Sequence, residues 1–265
     1  MSRLILLRSS EPVRLRGLLQ RVPGIAPAAA LTDASPAGDE PPAASGKTVQ
    51  LDQGFVIGGE PLIQRGNQDE LVAYRSMGNL RTDQLLTAIG TPPPSQGVFR
   101  YRQFLFAVIG QLSPIDSRAQ HTADLPLQLR DNLRGRSEAE LFFHQVLSHL
   151  HDADPAYLTA GELSPEVSVA VLAKALRQAV PDEQAAGVVA ALSHGDQLVV
   201  ARRGHSTLRY HSLSEGSSPA PLTHLTLAVA TVGGESVTAE LTPVPEGQAL
   251  VISPRKGRPT LVALT

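Results

Sequence analysis

The stretch Ser2-Arg3-Leu4-Ile5-Leu6-Leu7-Arg8 places four consecutive large apolar residues between two arginines at the start of the chain. A short apolar run without polar alternation is typical of a strand that is buried on both faces. We therefore predict that Arg3–Leu7 forms a central strand in one of two facing antiparallel sheets. The run is much shorter than the roughly 20 apolar residues that span a bilayer, and no small-residue cleavage site follows it.

Other strands are predicted in series, separated by turns rich in Gly and Pro. The earlier ones are Phe55–Gly58, Leu71–Arg75, Leu85–Ile89 and Phe104–Ile109. The later ones are Ala186–Leu192, Gln197–Ala201, Leu208–Leu213, Leu225–Ala230, Leu250–Ile252 and Thr260–Leu264. Between the two groups the chain is helical. Strands, then adjacent helices, then strands is an α+β order, without the βαβα alternation of a doubly wound parallel sheet.

Two amphipathic helices are predicted in the middle of the chain. The first begins at Ser137 with a capping-box pattern, in which Glu140 stands three residues after the cap. The second begins at Ser164, with Pro165 at its first helical position. We expect both helices to cover one sheet together. A third, shorter helix is predicted over Pro12–Arg21, capped by Ser10.

Residues 23–48 consist mainly of Pro, Ala, Gly, Ser and Asp, a composition typical of a flexible loop. No internal repeat and no convincing linker divides the remaining sequence. We predict one domain over residues 1–265 that contains this loop.

The amino-acid composition argues against several classes of partner and site. The 265 residues are 42% hydrophobic, and 23 basic against 25 acidic residues give a net charge of −2. This balance favours neither nucleic acid nor an anionic membrane as a partner. Cysteine is absent, so the sequence excludes disulfides, Cys-rich metal sites and a thiol nucleophile. We expect a cytoplasmic protein without a cofactor.

Several local motifs are too incomplete to indicate a site. Gly46-Lys47-Thr48 resembles the end of a phosphate-binding loop, but Pro41 stands where its first Gly belongs. Gly204-His205-Ser206 begins like a nucleophile elbow, but Leu208 replaces the closing Gly.

Two groups of histidines could suggest a binding site. His144, His149 and His151 do not share one helical face, so we predict no metal site there. His205 and His211, with Arg203 and Arg209, indicate either a solvated sheet face or a small anion site.

Segments spread over nearly the whole chain resemble, in order, the class II glutamine amidotransferases, and in particular their small amidohydrolase branch. They are Met1-Ser2-Arg3-Leu4-Ile5-Leu6, Asp52-Gln53-Gly54-Phe55-Val56-Ile57-Gly58, Phe104-Leu105-Phe106-Ala107-Val108-Ile109-Gly110, Ser137-Glu138-Ala139-Glu140-Leu141-Phe142, Pro243-Val244-Pro245-Glu246-Gly247 and Leu250-Val251-Ile252. The resemblance implies an N-terminal nucleophile hydrolase fold, a four-layer αββα sandwich of two antiparallel sheets between helices.

The resemblance also identifies the positions that would carry catalysis. Ser2 occupies the position of the family's nucleophilic Cys, and a free α-amine can activate a hydroxyl. Gly110 keeps the backbone N–H that stabilises the oxyanion, but Ile109 replaces the Asn that supplies the second donor. Gly90 aligns with the Arg that clamps the substrate carboxylate. Glu138 replaces the Asp that holds the substrate amino group, although helix capping explains this acid equally well.

Two readings follow. In the first, the chain is a catalytically inactive relative that binds or regulates a protein partner or a small-molecule ligand. In the second, Ser2 is the nucleophile of an amidohydrolase that acts on an amide other than that of glutamine, which requires removal of Met1. An engineered exchange of Cys for Ser at position 2 does not explain the sequence, because the Asn expected at Ile109 is absent as well.

Overall fold

The structure, a computed structural model, describes most of the chain. The described residues are 2–14, 48–57, 60–69, 80–90, 96–112, 122–135, 137–159, 163–180, 187–215, 223–233, 241–253 and 258–264. None of the helices in these ranges combines the length and the apolar character that crossing a bilayer would require.

The first of two antiparallel sheets has seven strands in the order β11-β9-β10-β1-β4-β2-β3. Its strands are β1 (Ser2–Arg14), β2 (Thr48–Ile57), β3 (Glu60–Asp69), β4 (Arg81–Gly90), β9 (Ser206–Glu215), β10 (Thr223–Val232) and β11 (Thr242–Pro243). β1 lies at the centre, between β4 and β10. The predicted central position of Arg3–Leu7 is therefore confirmed.

The second sheet has six strands in the order β13-β12-β8-β7-β6-β5. Its strands are β5 (Gly97–Tyr101), β6 (Phe104–Gly110), β7 (Val188–His194), β8 (Gln197–Arg203), β12 (Gln248–Ile252) and β13 (Thr260–Ala263). Each neighbouring pair is antiparallel. The sequence predicted the central strands of this sheet in their correct places.

Three α-helices are described over their full length: α1 (Leu127–Arg130), α2 (Glu138–Ala153) and α3 (Pro165–Ala179). A 3₁₀ turn, Pro155–Leu158, follows α2. The hydroxyls of Ser137 and Ser164 accept hydrogen bonds from Glu140 N (3.2 Å) and Val167 N (3.3 Å), so both predicted helix starts are confirmed. α2 and α3 share one hydrophobic core with the outward-facing side chains of the six-stranded sheet, as expected.

A second core lies between the two sheets. Leu4 and Leu6 of β1 face Leu105, Ala107 and Ile109 of β6 within it. Ile5 and Leu7, which alternate with them, point to the opposite face of β1 and are fully buried as well. The seven-stranded sheet is therefore covered on both faces, in agreement with the four-layer αββα sandwich.

Some predictions differ from the structure or fall outside its described part. The helix predicted over Pro12–Arg21 is wrong at its start, because β1 continues through Arg14 after an irregularity in its pairing with β4 between Arg8 and Val13. Ser10 is no helix cap there, since its hydroxyl accepts from His224 N at 3.1 Å in the neighbouring strand. The predicted strand Leu71–Arg75 lies outside the described residues. So does the predicted loop 23–48, except for Thr48, the first residue of β2.

Candidate functional site

Ser2 begins β1 and lies between two neighbouring strands. Its backbone pairs with Val232 of β10 and with Gly90 of β4. Because side chains alternate along a strand, Ser2 faces the same side as Leu4 and Leu6, towards the six-stranded sheet. Its half-buried hydroxyl therefore lies at the end of the space between the sheets.

Gly90 leaves room for two polar side chains. A Cβ at this position would lie 2.8 Å from Ser2 Oγ and closer still to Gln96 Oε1. Both side chains therefore meet over the bare backbone of Gly90. An arginine at position 90, as the resemblance implies for the family, would displace them.

Gln96 is a member of this site that sequence reasoning missed. Its Oε1 and Nε2 are both buried and have no hydrogen-bond partner among the described residues. Leaving a buried amide unpaired costs about 1–3 kcal/mol, so an unpaired amide beside a hydroxyl marks a polar position without an evident structural role. Its sequence context, between Pro92-Pro93-Pro94 and Gly97, shows only a turn.

Ile109 and Gly110 are the last two residues of β6, in the facing six-stranded sheet. Ile109 is 0% exposed and belongs to the apolar core between the sheets, so it offers no donor to this region. Gly110 has φ +119°, and a Cβ there would overlap Gly187 O and lie 2.8 Å from Val188 Cα. Glycine is therefore required at position 110 by the path of the backbone.

Asp52 is a buried carboxylate on β2, close to this end of the sandwich. It lies 3.7 Å from Arg65 Nε and accepts from Gln50 Nε2 at 3.4 Å. Burial raises the pKa of Asp52 above its ordinary value, while Arg65 and Gln50 act in the opposite direction. A Cβ on Gly97, the residue after Gln96, would touch Asp52 Oδ2 at 3.4 Å.

Glu138 is half-buried at the first position of α2, in the helical layer outside the six-stranded sheet. The capping box is only half formed. Ser137 caps the helix, but the Glu140 carboxylate accepts from Arg134 N (2.8 Å) and Gly135 N (2.6 Å) in the preceding loop. The structure thus brings Ser2 and Gly90 into contact, places Ile109 and Gly110 in the facing sheet, and places Glu138 one layer further out.

The histidines singled out in the sequence have separate environments. His144 Nδ1 lies 2.9 Å from Glu140 O, and His149 Nε2 lies 2.7 Å from Gln178 Oε1. Arg203 donates to Val180 O at 2.5 Å, and Arg209 donates to Leu241 O at 3.2 Å. The two arginines are therefore tied to different segments of backbone rather than presented together as one anion site.

No protein-family model and no curated protein sequence matches the chain. Solved structures do share its fold. A glutamine aminotransferase class-II domain protein from Silicibacter pomeroyi is 16% identical, with 98% of each chain covered and a TM-score of 0.58. A protein described as a predicted glutamine amidotransferase from Pseudomonas aeruginosa is 14% identical, with 98% of this chain and 95% of that chain covered and a TM-score of 0.52.

A third structural neighbour is larger. The allosteric regulatory enzyme of purine biosynthesis is 10% identical and has a TM-score of 0.52, with 99% of this chain covering 49% of that one. The fold that the sequence resemblance implied is thus confirmed, because these solved structures share it.

Proposed function

We propose that this chain is a relative of the class II glutamine amidotransferases that does not hydrolyse glutamine and acts as a binding or regulatory module. The burial of Ile109 in the inter-sheet core carries the proposal. A hydrocarbon side chain cannot donate to an oxyanion, and the loss of one such donor lowers kcat by about 10²–10³-fold. Gly90 adds support, because it provides no guanidinium to clamp a substrate carboxylate.

The test restores the nucleophile alone. Ser2→Cys protein, with removal of Met1 confirmed by intact mass, is assayed for ammonia release from glutamine. The expected result is background activity, because the second donor and the clamp are still missing. Ser10→Cys, at an exposed position of the same strand, controls for a thiol elsewhere in a chain that otherwise lacks cysteine. Turnover within about tenfold of an active class II amidotransferase would overturn the proposal.

A second candidate function rests on Gln96. Its unpaired amide adjoins the same point above Gly90 as the Ser2 hydroxyl, and an amide N–H is a suitable oxyanion donor. This arrangement supports an amidohydrolase with Ser2 as its nucleophile and a substrate other than glutamine. Labelling by a fluorophosphonate, a reagent for activated hydroxyls, separates the two functions. An adduct that disappears in both Ser2→Ala and Gln96→Ala would establish the hydrolase, and the absence of an adduct supports the binding module.

The binding module would work in the cytoplasm on a protein or small-molecule partner. The net charge of −2 supports this assignment over a nucleic-acid or membrane partner, and the lack of cysteine is compatible with a reducing compartment.

A further inference from the structure

A groove with a volume of about 940 Å³ lies where the edge strand of the seven-stranded sheet, β3, adjoins the edge strand of the six-stranded sheet, β5. Its walls come from the edge strands β3 and β5, from the segment around α1, and from the first two turns of α2. Six charged side chains line it: Arg65, Arg100, Arg102, Arg134, Asp131 and Glu140. The volume is at the upper end of the range for small-molecule sites and leaves room for a ligand larger than an amino acid.

Two of the four guanidinium groups are held both by an aromatic ring and by a backbone carbonyl. Arg65 lies over the ring of Phe99, 5.0 Å from its centroid, and donates from Nη2 to Val98 O. Arg102 lies over the ring of Tyr101, 5.4 Å from its centroid, and donates from Nη1 to Leu158 O at 2.8 Å. A guanidinium has five N–H donors, so each retains donors for a ligand. Because stacking and the backbone bonds already order these side chains, binding would cost little further entropy.

The buried carboxylate of Asp52, 3.7 Å from Arg65 Nε, offsets part of the positive charge of the groove, but the remaining side chains leave it positive. Arg100 donates to Pro61 O, and its side chain is exposed. The guanidinium of Arg134 has no hydrogen bond or ion pair within the described residues, while its backbone N–H binds Glu140. The Glu140 carboxylate is already engaged by two backbone N–H groups, which leaves Asp131 as the exposed acid of the groove.

His144 adds an acceptor to this donor-rich wall. Its Nδ1 is 2.9 Å from the carbonyl oxygen of Glu140, so Nδ1 carries the hydrogen and Nε2 presents a lone pair. Nε2 is buried and has no partner within the described residues, and His144 lines the groove. A ligand that binds both the arginines and His144 Nε2 therefore carries a hydroxyl or amine donor as well as negative charge.

We propose that this groove binds a multiply charged oxyanion, a phosphate ester or a polycarboxylate, that also bears a hydroxyl or amine group. Phosphates and carboxylates are the groups that guanidinium forks bind through paired charge-assisted hydrogen bonds. Ser2, Gly90 and Gln96 do not line this groove, and the proposal does not depend on whether Ser2 is active.

The experiment measures binding by isothermal titration calorimetry on the full chain, with pyrophosphate in one arm and citrate in the other. We expect saturable binding of at least one anion, weakened by raised ionic strength because the arginines are largely exposed. Arg134→Gln and Arg102→Gln should each weaken it by at least about tenfold. Arg81→Gln, at an exposed arginine of β4 that does not line the groove, should leave the affinity unchanged within about twofold.

The comparison of the two anions identifies the ligand class. Tighter binding of pyrophosphate would indicate a phosphate ester, and tighter binding of citrate would indicate a polycarboxylate. Lack of saturable binding to either anion at about 5 mM would overturn the proposal. So would equal weakening by Arg81→Gln and Arg134→Gln, which indicates general charge attraction. Arg134 packs in no core, so this variant remains informative if Arg102→Gln fails to fold. Ser2→Ala should bind normally, and a glutaminase result therefore leaves this test unaffected.

Discussion

Arg8 and Gln84, on neighbouring strands of the seven-stranded sheet, form a buried hydrogen bond of 2.5 Å between Nη1 and Oε1. Gln84 in turn donates from Nε2 to Ser193 Oγ in the facing sheet. Arg8 also donates from Nη2 to Gly195 O at 3.0 Å and to Asp196 Oδ1 at 3.3 Å. This polar network joins the two sheets near the middle of β1, at Arg8, where the regular pairing of β1 with β4 is interrupted.

Replacement of Arg8 by methionine should destabilise the protein by about 2–4 kcal/mol, because it leaves the buried Oε1 of Gln84 without its donor and also removes the part-buried bond to Gly195 O. Arg8 is only 4% exposed, so water cannot replace the lost bonds easily. Urea unfolding measures the change. The control, Arg81→Met, removes an exposed arginine and should change stability by less than about 0.5 kcal/mol. Equal effects of the two substitutions would contradict a structural role for the network.

Substitutions at Gly110 and Gly233 distinguish the cost of backbone strain from the cost of a steric clash. Both have positive φ, but a Cβ on Gly110 overlaps Gly187, whereas a Cβ on Gly233 meets nothing within 4 Å. Gly233→Ala should therefore cost only the backbone strain, about 1 kcal/mol. Gly110→Ala should cost at least about 3 kcal/mol or prevent folding, because the clash is with backbone atoms. Equal unfolding midpoints for the two variants would argue against the close approach at Gly110.

Gly90 and Gln96 should be energetically coupled. Gly90→Ala places a methyl group against Gln96 Oε1 and Ser2 Oγ, and should destabilise the protein by about 1–3 kcal/mol. Gln96→Ala removes the nearer obstacle. In the double variant, most of the cost of Gly90→Ala should disappear, which corresponds to a coupling of about 0.5–3 kcal/mol in a double-mutant cycle. Additive effects would show that the two residues do not meet as described.

Stability should decrease as the pH falls from about 7 to 5. Burial lowers the pKa of His144, His149 and His194 below the ordinary value of 6.5. In the window between the lowered values and 6.5, the unfolded chain binds more protons, so acid favours unfolding. Urea unfolding at several pH values measures this slope. His144→Gln should flatten it. A slope that His144→Gln leaves unchanged would show that this ring contributes nothing to it.

The sequence predicted the elements that are most buried. The apolar run Arg3–Leu7 and the capped helices at Ser137 and Ser164 carry strong local signals, because burial on one or both faces fixes their pattern. Edge strands carry weak signals. β3, Glu60–Asp69, is largely exposed, and β5, Gly97–Tyr101, is short and begins with glycine, so both were missed.

The candidate site was predictable only in part. Ser2, Ile109 and Gly110 were identified from short segments that resemble the family's motifs in the same order along the chain. The contact between Ser2, Gly90 and Gln96 depends on the register of β1 against β4 and on the close approach of β5. Pairings over such separations follow from the packing of the whole sandwich, which no local pattern encodes.

The central position of β1 has a consequence for the order of folding. Ser2 pairs with Val232, so the middle of the seven-stranded sheet joins two strands whose paired residues are more than 200 positions apart in the sequence. During synthesis, β1 can pair with β4 early, but its other edge stays open until β10 has left the ribosome. Contacts between such distant residues slow folding and leave unpaired strand edges exposed in the meantime. Refolding should therefore be slow, and its yield should fall as the protein concentration rises.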